Sequence, residues 1–355
     1  STLTSFMKKI IFTLAAIALA AGLVSCNKDQ ATPDMSIQKG EPVKCVFNLA
    51  NVGSSMTKST GLESDDKGTD AEKAVSSLQV FVFGSDNLLI ASGSAANAKT
   101  LSLTVNSGTG YSIYAVANCE DFLSSVAKVA DLEAKVTNVL NTDNGATNFA
   151  MSGKLTNQVV SKDSKEFTIE VARRASKIVV RKITNSLPVA SGALTIEGIY
   201  LANVVTAAGM FTATLPDTPV WVNQFGTYAS LSSHAWFGDK LETAVDVANA
   251  GDYSVAHTFY ASANPTETDS SEKGEFTARF TRLVIKAKIQ GVDYYYPIQF
   301  NKELSALVPN RFIDISNINI KHLGSDDPDV PVSTDAITVT VTVKDWDRSE
   351  ESVEI

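Results

Sequence analysis

Short runs of β-branched and aromatic residues, with apolar and polar positions alternating, recur along most of this 355-residue chain and argue against a helical fold. Residues 76–83 read SSLQVFVF, residues 111–118 read YSIYAVAN and residues 293–300 read DYYYPIQF. Alternation places successive side chains on opposite faces of an extended strand, with one face buried. Many short strands separated by turn residues predict an all-β protein built of two sandwiches.

The strands fall into two sets separated by Asn185-Ser186-Leu187-Pro188. We therefore predict an N-terminal β-sandwich domain over 59–184 and a C-terminal one over 185–324. Residues 120–140 differ, because their apolar residues recur at mostly three- and four-residue spacing, which predicts one amphipathic helix. The spacing is interrupted near Leu132. The predicted strands are 43–52, 76–83, 87–91, 99–105, 111–118, 166–171, 175–183, 193–205, 252–262, 275–289, 293–300, 311–323 and 336–343.

The N-terminal region reads as an export signal for a lipoprotein. Met7-Lys8-Lys9 is a basic start, residues 10–22 are apolar, and Leu23-Val24-Ser25-Cys26 precedes a polar stretch. This order is typical of a bacterial signal peptide, and the apolar run is short for a transmembrane helix. We predict a signal peptide over 1–26, lipid attachment at Cys26, and an outer-membrane lipoprotein precursor whose residues 27–58 carry a tether and a first strand.

Composition narrows the range of partners. The net charge is −9 and the pI is about 5.0, so the chain lacks the basic surface that nucleic acid requires. Besides Cys26, only Cys45 and Cys119 occur, which allows one disulfide in an oxidising compartment or two buried free thiols. Free thiols are the favoured interpretation.

No catalytic constellation is visible. The three histidines, His234, His257 and His322, have neither a cysteine nor another histidine at metal-ligand spacing. Gly108-Thr109-Gly110 lies between two strands and reads as a hairpin turn rather than a phosphate cradle. We therefore expect no enzymatic activity, no cofactor and no metal.

The C-terminal segment 325–355 combines a proline-containing linker with a strongly strand-forming run. Its apolar side chains Ile337, Val339, Val341 and Val343 alternate with threonines, and Trp346 follows. Every residue of the run is β-branched, which favours extended structure. Two interpretations remain open: the run is the last strand of its own domain, or it is added to the sheet of a neighbouring subunit.

The other end of the fold offers a place for such an added strand. Strand 43–52 is followed by a polar loop that contains Lys58 and Ser59. A trypsin-like cut between these two residues leaves the first strand held by noncovalent contacts alone. Its departure opens a groove one strand wide, and filling that groove with the tail of another copy gives a head-to-tail polymer.

The chain resembles the fimbrillin family, the lipoprotein-derived pilus subunits of Bacteroidales. The resemblance rests on LVSC, YSIYAVAN, FAMSG at 149–153, EVARRASKIVV at 169–179 and TFYASANP at 258–265. It rests further on the C-terminal order LVPNRFIDISNINI, GSDDPDVPV and ITVTVTVKDW.

The resemblance implies two tandem transthyretin-like sandwiches and transport to the outer membrane as a lipoprotein. It also implies removal of the first strand by an arginine- or lysine-specific protease, and donation of the C-terminal strand to another subunit. Many relatives carry Arg where this chain has Lys58. Arg173-Arg174 is a second dibasic candidate, although a cut there splits the first domain.

The leading interpretation is a stalk pilin of a cell-surface fimbrium, with other copies of itself, tip and anchor pilins and a processing protease as partners. The alternative is a monomeric outer-membrane lipoprotein that binds glycan or host protein through its sandwich loops. A lipid-anchored hydrolase is a third and weaker interpretation.

Overall fold

The computed structural model describes residues 40–50, 68–137, 147–219, 221–223, 238–266, 280–300, 304, 306–346 and the short strand at 353–354. The predicted sites Cys26, Lys58 and Ser59 lie outside these residues. No helix in the described ranges is long and apolar enough to cross a membrane.

The first half of the chain forms two sheets that face each other. One sheet has the strand order β4-β1-β7, and the other has the order β3-β2-β5-β6-β8. Inward side chains of both sheets, among them Phe47, Val80 and Ile113, share one hydrophobic core. The strands are β1 (Pro42–Ala50), β2 (Ser77–Phe83), β3 (Leu89–Ala96), β4 (Thr100–Asn106), β5 (Gly108–Ala117), β6 (Met151–Val160), β7 (Glu166–Glu170) and β8 (Ala172–Arg173).

The second half forms another sandwich. One sheet has the order β14-β11-β17-β18, and the other joins β15-β10-β19-β20-β21 with β9 and β16. A second core, to which Ile199 and Ile315 belong, lies between them. The strands are β9 (Ala175–Val180), β10 (Ile183–Asn185), β11 (Leu194–Ala202), β12 (Val204–Val205), β13 (Trp221–Val222), β14 (Gly238–Val247), β15 (Asp252–Tyr253), β16 (His257–Ser262), β17 (Arg282–Ile289), β18 (Val292–Gln299), β19 (Arg311–Ile320), β20 (Ile337–Asp345) and β21 (Val353–Glu354).

The all-β class and the two-sandwich architecture predicted from the sequence are confirmed. The chain crosses from the first sandwich to the second between β8 and β9, because β9 pairs with β16 and β19. This crossing lies earlier in the sequence than the boundary predicted near 184–188.

The helix predicted over 120–140 is wrong over most of its described length. Only a 3-10 turn at Leu123–Ser125 and the five-residue helix α1 (Val129–Glu133) are helical, and the region ends in extended backbone. Phe122, Val126 and Leu132 are buried against the outer face of the β2 and β5 sheet. Their spacing therefore reflects an irregular segment that covers a sheet, with Leu88 and Lys128 joined by a β-bridge.

Two long strands, β6 and β14, were not predicted, and neither were the two-residue strands β8, β13 and β21. Most side chains of β6 are exposed or half-buried, so its sequence lacks the apolar face by which strands are recognised. At Gly153 a Cβ atom would lie 2.0 Å from the carbonyl oxygen of Glu170, so this position of β6 needs glycine for the close approach of β7.

Candidate assembly site

β1 is the central strand of the three-stranded sheet. It pairs antiparallel with β4 over Pro42–Asn48 and parallel with β7 over Val46–Ala50. In the described part of the chain, β4 and β7 pair with no other strand. Removal of β1 therefore leaves both neighbours without a hydrogen-bonded partner, which is a large local loss because buried backbone groups need partners.

The inward side chains of β1 are part of the core. Cys45 and Phe47 are completely buried, Val43 is 5 % exposed, and Leu49 is half-buried against the same core. The Phe47 ring stacks on Phe167 of β7 with 5.5 Å between centroids. Loss of this strand opens an apolar groove between the two sheets.

Both described cysteines are free thiols. Cys45 lies inside the first core, where burial raises the pKa of its thiol. Burial, with smaller contributions from Glu120 and Asp121, raises the pKa of the half-buried Cys119 thiol to about 12. Among the described residues, no disulfide links β1 to the rest of the domain.

An exposed ion pair marks the start of β1. Glu41 Oε2 lies 2.8 Å from Lys162 Nζ, and both side chains are more than 70 % exposed. The backbones of Glu41 and Ser107 are joined by a hydrogen bond of 2.8 Å from the Ser107 amide. At the other end of β1, the Ala50 carbonyl accepts a hydrogen bond from the Val171 amide, close to where the chain enters the second domain.

The C-terminal run forms β20 in its own second domain. It pairs antiparallel with β19 along its whole length, and only Thr342 and Val343 also pair with β21. Ile337, Val339, Val341 and Val343 are half-buried, whereas the inward positions Val43, Cys45 and Phe47 of β1 are fully buried. In this single chain, whose groove is filled by β1, the tail is thus the last strand of its own domain.

Trp346 directly follows this strand and is the largest fully buried side chain among the described residues. Its side chain is fully buried between Phe149, Tyr260 and the guanidinium of Arg173, whose Cζ lies 4.3 Å from the indole centroid. Its backbone exchanges two hydrogen bonds with Asn310, of 2.8 and 2.9 Å. Because these neighbours come from both domains, Trp346 anchors the tail at the domain junction.

A buried ionic cluster lies beside this anchor. Lys177 Nζ approaches Glu72 Oε1 to 2.9 Å, Tyr260 donates to the same carboxylate, and Arg173 Nε donates to the Glu72 carbonyl at 3.0 Å. Burying an ion pair is favourable only with such additional hydrogen bonds. The cluster fixes the segment before β2 against the second domain.

The same cluster bears on the second candidate cleavage site. Arg173 is 2 % exposed, and Arg174 Nε donates to the Gly209 carbonyl at 3.0 Å. A protease needs an accessible, extended segment. This pair does not offer one while the protein is folded, because Arg173 is buried in β8 and the side chain of Arg174 is held by the Gly209 carbonyl.

The linker before β20 is held at several points. Arg282 Nη2 donates to Asp329 Oδ1 at 2.6 Å in a buried pair, and Ser325 exchanges backbone hydrogen bonds with Tyr295. Between the Arg282–Asp329 pair and β20, Val332 packs against the second core, and the carbonyl of the fully buried Ala336 accepts hydrogen bonds from the Lys321 and His322 amides. Release of β20 therefore also breaks these contacts.

Within the described ranges, no cluster of three or more His, Cys, Asp or Glu side chains could hold a metal ion. His257 Nε2 lies 2.8 Å from the Tyr253 hydroxyl, and His322 lies 3.7 Å from the exposed Asp335. His234 lies outside the described residues.

The sequence-based reasoning missed the residues that frame the two strands. Glu41 lies two residues before Val43, the first inward apolar residue of β1. Asp335 likewise lies two residues before Ile337, the first apolar residue of β20. An acidic residue two positions before an alternating apolar run was the available signal. The burial of Trp346 among Arg173 and Glu72 had no local signal.

Residues 46–197 match the family described as "Major fimbrial subunit protein (FimA)". No match was found among curated proteins. The resemblance to the fimbrillin family is confirmed by this match, and the matched family is one of fimbrial subunits.

Solved structures share the fold over nearly their full length. A fimbrilin (fimA) from Porphyromonas gingivalis aligns with a TM-score of 0.58 and 16% identity, covering 85% of this chain and 97% of that chain. A "putative cell adhesion protein" from Bacteroides eggerthii aligns with a TM-score of 0.59 and 19% identity, covering 86% and 97%. At these identities the likeness concerns the fold alone.

Proposed function

We propose that this chain is a structural stalk pilin of a cell-surface fimbrium and polymerises by protease-triggered exchange of one strand. The observation that carries the proposal is the position of β1, the central strand of its sheet, which in sequence precedes the polar segment containing Lys58. The match to a fimbrial subunit family supports the same role.

The trigger is a cut between Lys58 and Ser59. Before it, the chain travels to the outer membrane with lipid on Cys26. After it, β1 is held only by its two ladders and by the burial of Val43, Cys45 and Phe47. An arginine- or lysine-specific protease fits this site chemically, whereas Arg173-Arg174 is enclosed.

The replacement strand is β20 of another copy. Its four apolar side chains have the same two-residue period as those of β1. In its own domain β20 has a full ladder on one side only, but the groove offers the ladders of both β4 and β7. Complete burial of an aliphatic side chain contributes roughly 1.5–3 kcal/mol, so moving four half-buried residues into the groove is favourable.

The directions of the strands support a linear polymer. β20 begins opposite Ile320 and ends opposite Arg311, whose neighbour Asn310 contacts Arg173 at the domain junction. A tail that detaches from β19 and from the contacts of Ala336 therefore extends from the pole of the second domain that is far from the junction. β1 likewise begins at the far pole of the first domain and runs toward the junction, so a donated tail enters in the direction of the strand it replaces.

The alternative is a monomeric surface lipoprotein that binds glycan or host protein. The pairing of β20 with β19 and the burial of Trp346 favour it, because they make the chain self-sufficient before any cleavage. The stalk pilin proposal needs no catalytic group and includes tip and anchor pilins as further partners.

One experiment separates the two functions. The full chain, treated with a lysine-specific protease, should form ladders on native or mild-detergent gels and filaments on electron micrographs. The same protein ending at Ser333 should be processed equally and remain monomeric. Equal behaviour of the two proteins, or a monomeric processed full chain, would support the monomeric binder.

A further inference from the structure

We propose that β20 occupies the groove of the next subunit in one register only, with Ile337 in the place of Val43, and that Asp335 and Asp345 fix this register. This inference rests on the proposed function and adds the residues that determine how two subunits join.

The apolar pattern restricts the register to even shifts. Val43, Cys45, Phe47 and Leu49 face the core from β1, and Ile337, Val339, Val341 and Val343 share one face of β20. A slip by one residue turns the threonines inward and the apolar residues to solvent. Only shifts by two residues therefore compete with the proposed register.

The two aspartates disfavour those shifts, Asp335 more strongly than Asp345, because Val43 is buried whereas Leu49 is half-buried. If the tail advances by two residues, Asp335 takes the place of Val43, which is 5 % exposed and packed in the core. If it retreats by two, Asp345 takes the place of Leu49, which packs against the same core. Either shift places an unpaired carboxylate against apolar side chains, which is strongly unfavourable.

In the proposed register Asp335 takes the place of Glu41. Glu41 is the partner of Lys162 at this pole, and it is lost with the N-terminal segment on cleavage. An incoming Asp335 restores a carboxylate beside Lys162. Because exposed ion pairs add little stability, this contact contributes to the choice of register more than to affinity.

The polar side chains on the outward face of β20 are also compatible with the proposed register. Asn48 of β1 accepts a hydrogen bond of 2.9 Å from the Thr100 hydroxyl of β4. Thr342 takes the place of Asn48, and its hydroxyl group can accept the same hydrogen bond.

Cysteine pairs across β4 test the register. Val46 lies opposite Ser102, so Thr340→Cys in one subunit should form a disulfide with Ser102→Cys in the next. Thr338→Cys with Ser102→Cys reports the advanced register, in which the tail is shifted by two residues so that Thr338 takes the place of Val46. Thr342→Cys with Ser102→Cys reports the retreated register, in which Thr342 takes that place. Each pair is made in the full chain that also carries Cys119→Ser, which removes a competing thiol. Cys45 needs no substitution, because on the proposed function it leaves with the N-terminal segment. The chain is then processed, polymerised and oxidised.

We expect a ladder of covalent oligomers on non-reducing gels for the Thr340 pair and little for the other two. Filaments with a cross-link at another pair, or with none, would overturn the register while leaving strand exchange intact. A Cys119→Ser parent that forms no filaments would overturn both the register and the proposed function.

Removal of one aspartate provides a second measurement. Asp335→Ala should raise cross-linking of the Thr338 pair by about tenfold or more, because the advanced register then no longer buries a charge. Asp326→Ala removes an exposed carboxylate of the same linker and should leave the pattern unchanged. An unchanged pattern in Asp335→Ala would contradict the role of Asp335.

Discussion

At the scale of residues, Cys45 reports on the state of the first strand. It is completely buried in the first core, and burial raises the pKa of its thiol. The half-buried Cys119 has a pKa raised to about 12, so at about pH 8 only about one thiol in ten thousand is ionised. Since the thiolate is the reactive form, both cysteines should resist alkylation in the folded, unprocessed chain.

Alkylation of Cys45 should therefore follow strand departure. We expect iodoacetamide at about pH 8 to label Cys45 only after processing and assembly, when the released segment regains an ordinary thiol pKa, while Cys119 stays protected as an internal control. Peptide mass spectrometry measures both sites. Labelling of Cys45 before cleavage, or its continued protection in assembled filaments, would contradict the departure of β1.

Residues also show where sequence reasoning reaches its limit. The alternation in β1 and β20 is local, so the inward positions could be read directly from the sequence. The ion pair of Glu72 with Lys177 joins residues 105 positions apart, and Trp346 reaches Arg173 across the domain junction. Such contacts depend on how the two domains meet, which no local pattern encodes.

At the scale of elements, β20 is a strand with two possible partners. Its pairing with β19 leaves its inward side chains half-buried, and the fully buried Trp346, which directly follows it, packs against residues of both domains. In the strand exchange that we propose, release of the tail requires withdrawal of one buried indole, which the second ladder and the deeper burial in the groove would offset. On this proposal, exchange becomes favourable only once β1 has left.

An aspartate introduced on one face of β20 or on the other tests which face of the tail is buried in the groove of the next subunit. Val341→Asp should abolish polymerisation, because the proposed register puts this side chain in the place of the fully buried Phe47 and an unpaired carboxylate there costs several kcal/mol. In its own domain Val341 is half-buried, so the unprocessed variant should lose only about 1–2 kcal/mol of unfolding free energy.

Thr340→Asp is the matched control, since residue 340 is exposed in the single chain and lies on the outward face in the proposed register. It should polymerise close to the parent rate in a light-scattering assay. Denaturant unfolding of both unprocessed variants checks their folding. Normal assembly of Val341→Asp, or equal loss in both variants, would mean that the groove does not receive this face of the tail.

Some secondary-structure elements could be predicted from the sequence and others could not, and the difference has a physical cause. β1, β2 and β20 carry clear alternation, whereas β6 is too polar to display one. The segment around Phe122 and Leu132 has helical spacing but covers a sheet face, because its apolar side chains fill the space beside Phe81 and Phe83. Tertiary packing there overrides the local period.

At the scale of the whole molecule, β1 belongs to the first of two tandem sandwiches and β20 to the second. The strand that we propose to be replaced and the tail that we propose to replace it therefore lie in different domains. β1 starts at the far pole of the first domain, and β20 starts at the far pole of the second. The two-sandwich plan followed from the number of short strands. The crossing between domains did not, because β9 reads as a strand of either half until its partners β16 and β19 are known.

A cryo-electron microscopy map of filaments grown from the processed full chain tests the central claim most directly. The strand between β4 and β7 of each subunit should show the valine and threonine side chains of residues 337–345, connected through the linker to the neighbouring subunit. The aromatic density of Phe47 should be absent from this position. Residues 42–50 of the same subunit still lying between β4 and β7, with each tail paired to its own β19, would contradict the account.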